Sequence, residues 1–133
     1  MPTAVSRPPV ASADDALAHF GRRLSFETDC SDVNYALTQE AADFVLLDVR
    51  TPALYAAGHV PGAINLPTRM IGAARLAEYP PDTLFVVYCA GPHCNGADKA
   101  AFRLARLNRQ VKLMIGGITG WADEGFTFAT GPE

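Results

Sequence analysis

Two cysteines lie five residues apart between two stretches of regular sequence pattern. Residues 88–97 read Tyr-Cys-Ala-Gly-Pro-His-Cys-Asn-Gly-Ala, so Cys89 directly follows an apolar run and Cys94 precedes a helical pattern. A cysteine thiolate can attack an electrophilic sulfur or phosphorus atom. The alternative is that Cys89 is a buried structural cysteine at the end of a strand. Its position before a short loop makes Cys89 the candidate catalytic nucleophile.

The loop that follows Cys89 is predicted to bind an anion. Successive backbone N–H groups in a tight loop can surround a point above the sulfur. The N-terminus of the next helix would add about half a positive charge there. Both effects favour a thiolate, so we expect the pKa of Cys89 to lie below the ordinary value of about 8.5. The predicted substrate-binding loop consists of Ala90, Gly91, Pro92, His93, Cys94, Asn95 and Gly96.

Apolar runs predict the strands that position this loop. Residues 44–49 and 84–88 are continuous apolar runs, residues 111–115 form a weaker one, and residues 63–66 form a shorter candidate strand. Continuous apolar runs are typical of strands that are buried on both faces of a parallel sheet. Such sheets carry their reactive groups at the carboxyl ends of the strands, where Cys89 stands.

Helical patterns alternate with these strands. They cover residues 52–57, 69–78 and 97–107. Two further helices are predicted before the first strand, one from Ser12 and a short one from Ser31. The alternation predicts one α/β domain with a mostly parallel sheet flanked by helices.

The first of these helices has an amphipathic pattern. Leu17, Phe20 and Leu24 are spaced so that they share one helical face. The domain is predicted to cover residues 12–133 and to include this extra N-terminal helix. Residues 1–11 contain three prolines and little apolar periodicity, which predicts a flexible tail.

Composition excludes several classes of protein. The 133 residues are 49% hydrophobic and 19% charged, which is typical of a globular domain. The net charge of −3 argues against a nucleic-acid partner. No apolar run is long enough to span a bilayer and the N-terminus lacks a secretory signal pattern, so we expect no membrane association and a cytoplasmic location. Three cysteines are too few, and odd in number, for a secreted disulfide framework.

Several motifs around Cys89 resemble the rhodanese-like domain family. They are Asp-Val-Arg at 48–50, Gly-His-Val-Pro-Gly-Ala-Ile-Asn at 58–65 and Gly-Gly-Ile-Thr-Gly-Trp at 116–121. The resemblance covers roughly residues 44–126 and implies a three-layer α/β domain. It also implies that Cys89 accepts a sulfane sulfur, becomes a persulfide, and passes the sulfur to a thiol or cyanide acceptor. This chemistry needs neither a metal nor an organic cofactor.

The loop departs from the pattern that this resemblance implies. Many members of the family have a six-residue loop with basic side chains, whereas residues 90–95 contain no Lys or Arg. If Asn95 closes the loop, it is one residue longer and resembles the loops of related phosphatases and arsenate reductases. Those enzymes grip an oxyanion with an arginine, which Asn95 cannot replace, so phosphatase activity is not expected. A persulfide, polysulfide or protein donor is as good a candidate as the thiosulfate dianion.

Two residues within the loop have more than one interpretation. Cys94 either packs beneath the loop or resolves a Cys89 persulfide or sulfenate by forming a disulfide. His93 either acts on Cys89 or a donor, or faces solvent. A zinc site built from Cys89, His93, Cys94 and His59 is not expected, because the spacing is not that of paired Cys-x-x-Cys motifs.

Asp48, Arg50 and His59 are predicted to support the site. A carboxylate at a strand end can accept hydrogen bonds from loop amides, and an arginine can connect neighbouring loops. The resemblance implies an acidic partner for Arg50 just before Tyr55, but Leu54 stands there. Arg50 must therefore find another partner. His59 is expected to shape a turn beside the site.

The predicted function is that of a rhodanese-type sulfurtransferase with Cys89 as nucleophile. A second hypothesis is a non-enzymatic sulfur-carrier or regulatory module that binds a partner protein. A third is a thiol redox sensor that uses Cys89 and Cys94. Partners under the first hypothesis are a sulfur-containing anion or persulfide donor and a thiophilic acceptor, either of which could be carried by a protein.

Overall fold

Five short strands form one sheet in the computed structural model, which describes residues 1–132. In chain order they are β1 (Glu27–Asp29), β2 (Val45–Asp48), β3 (Ile64–Asn65), β4 (Leu84–Tyr88) and β5 (Gln110–Ile115). The spatial order is β1-β5-β4-β2-β3, and every neighbouring pair is parallel. The prediction of a parallel α/β sheet is confirmed. Because all strands run the same way, their carboxyl ends lie along one edge.

Two of the helices begin at residues that stabilise a helix N-terminus. The helices are α1 (Ala13–Phe26), α2 (Cys30–Thr38), α3 (Pro52–Ala57), α4 (Ala73–Leu76), α5 (Gly96–Arg106) and α6 (Gly117–Asp123), with a short 3-10 helix at Thr68–Met70. Ser12 caps α1 by accepting a hydrogen bond from the Asp15 N–H at 3.1 Å. Thr51 caps α3, and Pro52 occupies a first-turn position where a missing N–H does no harm.

Side chains of the central strands alternate between two apolar layers. Phe85, Val87 and Cys89 pack in one layer, which also includes buried residues of α4 and α5. Val86 and Tyr88 pack in the other layer, with buried residues of α2, α3 and α6. Successive residues of a strand point to opposite faces. Cys89 therefore belongs to the α5 side of the sheet, and Tyr88 belongs to the α6 side.

Several predicted boundaries differ from the structure. The helix expected over 69–78 is divided into a 3-10 turn and α4, with Gly72 in extended conformation between them. The second helix begins at Cys30 instead of Ser31, because the Asp29 side chain accepts from the Asp32 N–H at 2.8 Å and caps it. The strand β1 was not predicted, since three mostly polar residues carry no apolar pattern.

The N-terminal helix leaves its apolar stripe in solvent. None of the described residues of α1 is buried, and Leu17 and Leu24 are 76% and 73% exposed. The Lys112 ammonium donates to the Leu24 carbonyl at 3.0 Å and connects α1 to β5. The predicted helix is present, but its amphipathic pattern does not bury a face within this chain.

Residues 1–11 are exposed throughout, and their predicted flexibility stays a prediction. Glu133, the last residue of the predicted domain, lies outside the described residues. Within residues 1–132, no helix combines the length and apolar character needed to cross a membrane.

Candidate active site

Cys89 lies at the carboxyl end of β4, at the base of an open cleft. Cys89 is 8% exposed, so it is largely buried but still lines the cleft. The cleft has a volume of about 540 Å³ and extends from the cysteine loop across the ends of β5 and β1. It is lined by Cys89, Gly91, Pro92, Cys94, Ala97 and Asp98, by Glu27, Asp29, Cys30 and Ser31, and by residues 113–117, 120 and 124. We call it the Cys89 cleft.

The first turn of α5 closes directly against the sulfur. A Cβ atom placed on Gly96 would stand 2.7 Å from Cys89 Sγ and 3.4 Å from Cys94 Sγ. No side chain fits there without displacing the sulfur. Glycine at this position therefore allows the helix N-terminus to approach Cys89.

The start of α6 holds the loop from the other side. The N–H groups of Ile118 and Thr119 donate to the carbonyl groups of Cys89 and Ala90 at 3.0 and 2.9 Å. The Thr119 hydroxyl adds a second bond to the Ala90 carbonyl at 2.9 Å. Gly117 has φ +56°, and a Cβ there would meet the Gly91 nitrogen at 2.9 Å. The Gly-Gly-Ile-Thr motif thus fixes the position of the Cys89 and Ala90 backbone.

The sulfur atoms of Cys89 and Cys94 are in direct contact at 2.7 Å. Burial, followed by the hydrogen bond with Cys94, raises the pKa of Cys89 to about 11. The same hydrogen bond, followed by one from the Gly96 N–H, lowers the pKa of Cys94. The prediction of a lowered pKa for Cys89 is wrong for the reduced pair. A thiolate is therefore favoured on Cys94 over Cys89, because Cys94 is the less buried sulfur and accepts from both the Cys89 thiol and the Gly96 N–H.

The loop amides divide between the loop backbone and the sulfur atoms. The Cys94 N–H donates to the Gly91 carbonyl at 3.0 Å, and the Gly96 N–H points to Cys94 Sγ at 3.4 Å. Pro92, His93 and Asn95 are exposed, and neither His93 nor Asn95 lines the cleft. Binding of an anion by this loop stays a prediction.

Asp48 and Arg50 form a buried ion pair on the other side of the sheet from the Cys89 side chain. Asp48 is fully buried and accepts from Arg50 Nε at 3.0 Å and Nη2 at 2.7 Å. The Tyr88 hydroxyl donates to the same carboxylate at 2.7 Å, and Arg50 also donates to the Gly58 carbonyl at 2.7 Å. Asp48 and Gly58 are the partners that Arg50 needed. Neither Asp48 nor Arg50 lines the cleft, so the pair supports the strand ends without reaching its interior.

His59 is buried in the same layer and does not line the cleft. Its ring stacks on Tyr55 at 3.7 Å between centroids, and Nδ1 lies 2.8 Å from the Tyr55 carbonyl oxygen. Its backbone pairs with Ala129. The predicted role of His59 in a turn beside the site stays a prediction.

An acidic rim surrounds the cleft, and the sequence did not reveal it. Glu27, Asp29, Asp98 and Glu124 all line the cleft, and among its described lining residues none is Lys, Arg or His. These four carboxylates come from β1, from α5 and from the end of α6. Only Asp98 carried a local signal, since it lies in the first turn of a predicted helix. Within residues 1–132, the acidic rim included, no cluster of three or more His, Cys, Asp or Glu side chains is positioned to hold a metal ion.

A parallel α/β sheet with a cysteine loop between its central strand and the next helix defines a known class of domain. Residues 32–124 match the Rhodanese-like domain family, and the chain belongs to this family. A solved structure, the BH2092 protein from Bacillus halodurans, superposes with a TM-score of 0.86 at 33% identity, covering 90% of this chain and 87% of that one. The predicted family and fold are confirmed.

Two bacterial proteins are similar in sequence. A sulfurtransferase of Allochromatium vinosum is 32% identical over 99 residues, which cover 74% of this chain and 90% of that protein. The HTH-type transcriptional regulator Rv0324 of Mycobacterium tuberculosis is 44% identical over 84 residues, covering 62% of this chain and 36% of the regulator. The aligned part thus spans about a third of the regulator's length.

Proposed function

We propose that the protein is a sulfurtransferase in which Cys89 carries the sulfur. The observation that carries this proposal is the position of Cys89 Sγ, which lies at the base of a cleft between the end of β4 and the first turn of α5. The sulfurtransferase of Allochromatium vinosum, with which 74% of the chain aligns, supports the same chemistry.

The reaction begins when Cys89 attacks the outer sulfur of a donor persulfide. The new bond joins Cys89 Sγ to that sulfur, the donor S–S bond breaks, and the donor leaves as a thiol. Cys94 Sγ, at 2.7 Å, accepts the proton that Cys89 gives up and passes it to the leaving thiolate of the donor, so that Cys94 ends the step as a thiolate. A thiophilic acceptor such as cyanide or a thiol then removes the outer sulfur and regenerates Cys89. No metal or organic cofactor enters either step.

The acidic rim favours a donor of low charge. Thiosulfate is a dianion, and the rim carboxylates repel it, with the charge of Glu27 partly offset by its ion pair with Arg23 at 3.1 Å. The loop offers no arginine or lysine to offset that repulsion. A persulfide, either a small molecule or one carried by a protein, is the donor that suits this cleft better. A reducing cytoplasmic compartment would keep both loop cysteines as thiols.

Mass spectrometry of the Cys89 peptide tests this proposal. Reduced protein is incubated with thiosulfate and, separately, with polysulfide, using Cys94→Ser beside the wild type so that Cys94 cannot remove the sulfur. One added sulfur on Cys89 of Cys94→Ser, discharged by cyanide and absent in Cys89→Ser, is expected. Gly72→Ala is the matched control, because a Cβ at Gly72 has no neighbour within 4 Å and Gly72 does not line the cleft. If neither donor adds sulfur to folded protein, the proposal is wrong.

A second candidate is a regulatory module that senses sulfur or oxidants through its thiols. The likeness to a transcriptional regulator favours it, as does the contact between Cys89 and Cys94. A sensor needs slow exchange of the bound sulfur, whereas an enzyme needs repeated transfer. Multiple turnovers with excess donor and cyanide would support the enzyme, and a single stoichiometric discharge would support the sensor.

A further inference from the structure

Cys94 is held where it can react with anything attached to Cys89. A turn closed by the Cys94 N–H and the Gly91 carbonyl brings the second cysteine back over the first. The two sulfur atoms are 2.7 Å apart, and a disulfide bond needs about 2.05 Å. Both cysteines line the Cys89 cleft. A small movement of one side chain is enough to join them.

The charge distribution suits Cys94 to the role of attacking group. Cys94 is partly exposed, whereas Cys89 is buried at the end of the strand. The Gly96 N–H, in the first turn of α5, points to Cys94 Sγ at 3.4 Å. That donor stabilises a thiolate on Cys94, which is the form of the thiol that attacks a neighbouring sulfur.

We propose that Cys94 resolves the Cys89 persulfide, so that the protein releases hydrosulfide and closes a Cys89–Cys94 disulfide. This inference rests on the proposed function, since it requires a persulfide on Cys89. The Cys94 thiolate attacks Cys89 Sγ, the bond from Cys89 Sγ to the outer sulfur breaks, and that sulfur leaves as hydrosulfide with its proton. The outer sulfur gains two electrons, one from each cysteine sulfur. A dithiol reductant restores both thiols for the next cycle.

The proposal distinguishes this loop from one with a single cysteine. With Cys89 alone, the persulfide persists until an external acceptor removes its outer sulfur. With Cys94 in contact, the acceptor is built into the loop and the product is hydrosulfide. Attack on the outer sulfur instead would move the sulfur to Cys94 without releasing it, so the two courses have different products.

The test follows both products after a single loading. Reduced wild-type, Cys94→Ser and Gly72→Ala proteins are treated with one equivalent of polysulfide without oxygen. Trapped sulfide is then quantified, and the state of each cysteine is read by mass spectrometry. The donor itself loses sulfide when it loads Cys89, so the amount from Cys94→Ser is subtracted as background. Wild type and Gly72→Ala, in which the new Cβ has no neighbour within 4 Å, are expected to release about one equivalent of sulfide per protein above that background and to contain the Cys89–Cys94 disulfide. Cys94→Ser is expected to keep the added sulfur on Cys89 and to release further sulfide at least about tenfold more slowly than wild type.

Other outcomes separate this inference from the proposed function. If wild type keeps the Cys89 persulfide as long as Cys94→Ser does, the resolving role is wrong and sulfur transfer by Cys89 stands. Sulfur found on Cys94 would also overturn it, in favour of a relay between the two cysteines. If wild type contains neither a Cys89 persulfide nor the Cys89–Cys94 disulfide and Cys94→Ser takes up no sulfur on Cys89, the proposed function fails, and release of hydrosulfide from a Cys89 persulfide fails with it.

Discussion

Replacing Gly96 with alanine tests whether the sulfur position depends on the close approach of α5. The new Cβ would stand 2.7 Å from Cys89 Sγ, so the sulfur must move by about 0.7 Å to reach an ordinary contact of 3.4 Å. The Cys89 Cβ atom is 3.6 Å away and can stay, so the sulfur is the atom that shifts. A misplacement near 1 Å can slow a positioned reaction about 100-fold. We expect sulfur uptake by Gly96→Ala to be about 10- to 100-fold slower.

The assay is the rate of sulfur addition to the Cys89 peptide, sampled by acid quenching and mass spectrometry. Overpacking of this kind also costs about 1–3 kcal/mol of stability, so a urea titration must show that the variant is folded under assay conditions. Gly72→Ala is the matched control, because a Cβ at Gly72 has no neighbour within 4 Å. A folded Gly96→Ala variant that takes up sulfur at the wild-type rate would refute the argument that this contact positions the sulfur.

Three further predictions follow from the surroundings of the cleft. Asp48→Asn removes the charge that holds Arg50 in a buried site, and we expect a loss of about 3–5 kcal/mol in the free energy of unfolding, measured by urea denaturation. Neutralising two rim carboxylates, in the Asp98→Asn and Glu124→Gln double variant, should raise kcat/KM for thiosulfate about 3- to 10-fold at low salt, with a smaller gain at high salt. Cys94→Ala removes the hydrogen bond and charge that help to raise the pKa of Cys89 to about 11, so alkylation of Cys89 should begin at lower pH than in the wild type.

Each of these predictions has its own control. The exposed pair of Arg23 and Glu27 contrasts with the buried pair, and Arg23→Gln should cost no more than about 1 kcal/mol. The rim variant should leave the rate of alkylation by uncharged iodoacetamide unchanged, and an equal gain with that reagent would show a change of shape instead of charge. A Cys89 alkylation profile that does not move in Cys94→Ala would contradict the coupling of the two thiols.

Part of the fold could be predicted from local patterns in the sequence. The runs at 84–88 and 45–48 are apolar because both faces of a central parallel strand are covered, and both strands were found within a residue. The strand β1 could not be predicted, because Glu27, Thr28 and Asp29 become a strand only by pairing with β5. The N-terminal helix was predicted from its cap and its period, but its exposed stripe shows that periodicity does not say what a face packs against.

The candidate site, like the fold, could be predicted from the sequence only in part. Sequence alone identified Cys89, its loop and the family, because a strand, a cysteine, a tight turn and a helix start are neighbours along the chain. Only the tertiary structure decided what surrounds the sulfur. The contact between Cys89 and Cys94 depends on how the loop closes. The acidic rim consists of residues from distant segments of the chain. Asp48 and Arg50 lie in the opposite layer, because successive residues of a strand point to opposite faces of the sheet. These spatial neighbours determine the charge around Cys89 and the direction in which its pKa shifts. Residue types along the chain could therefore predict neither.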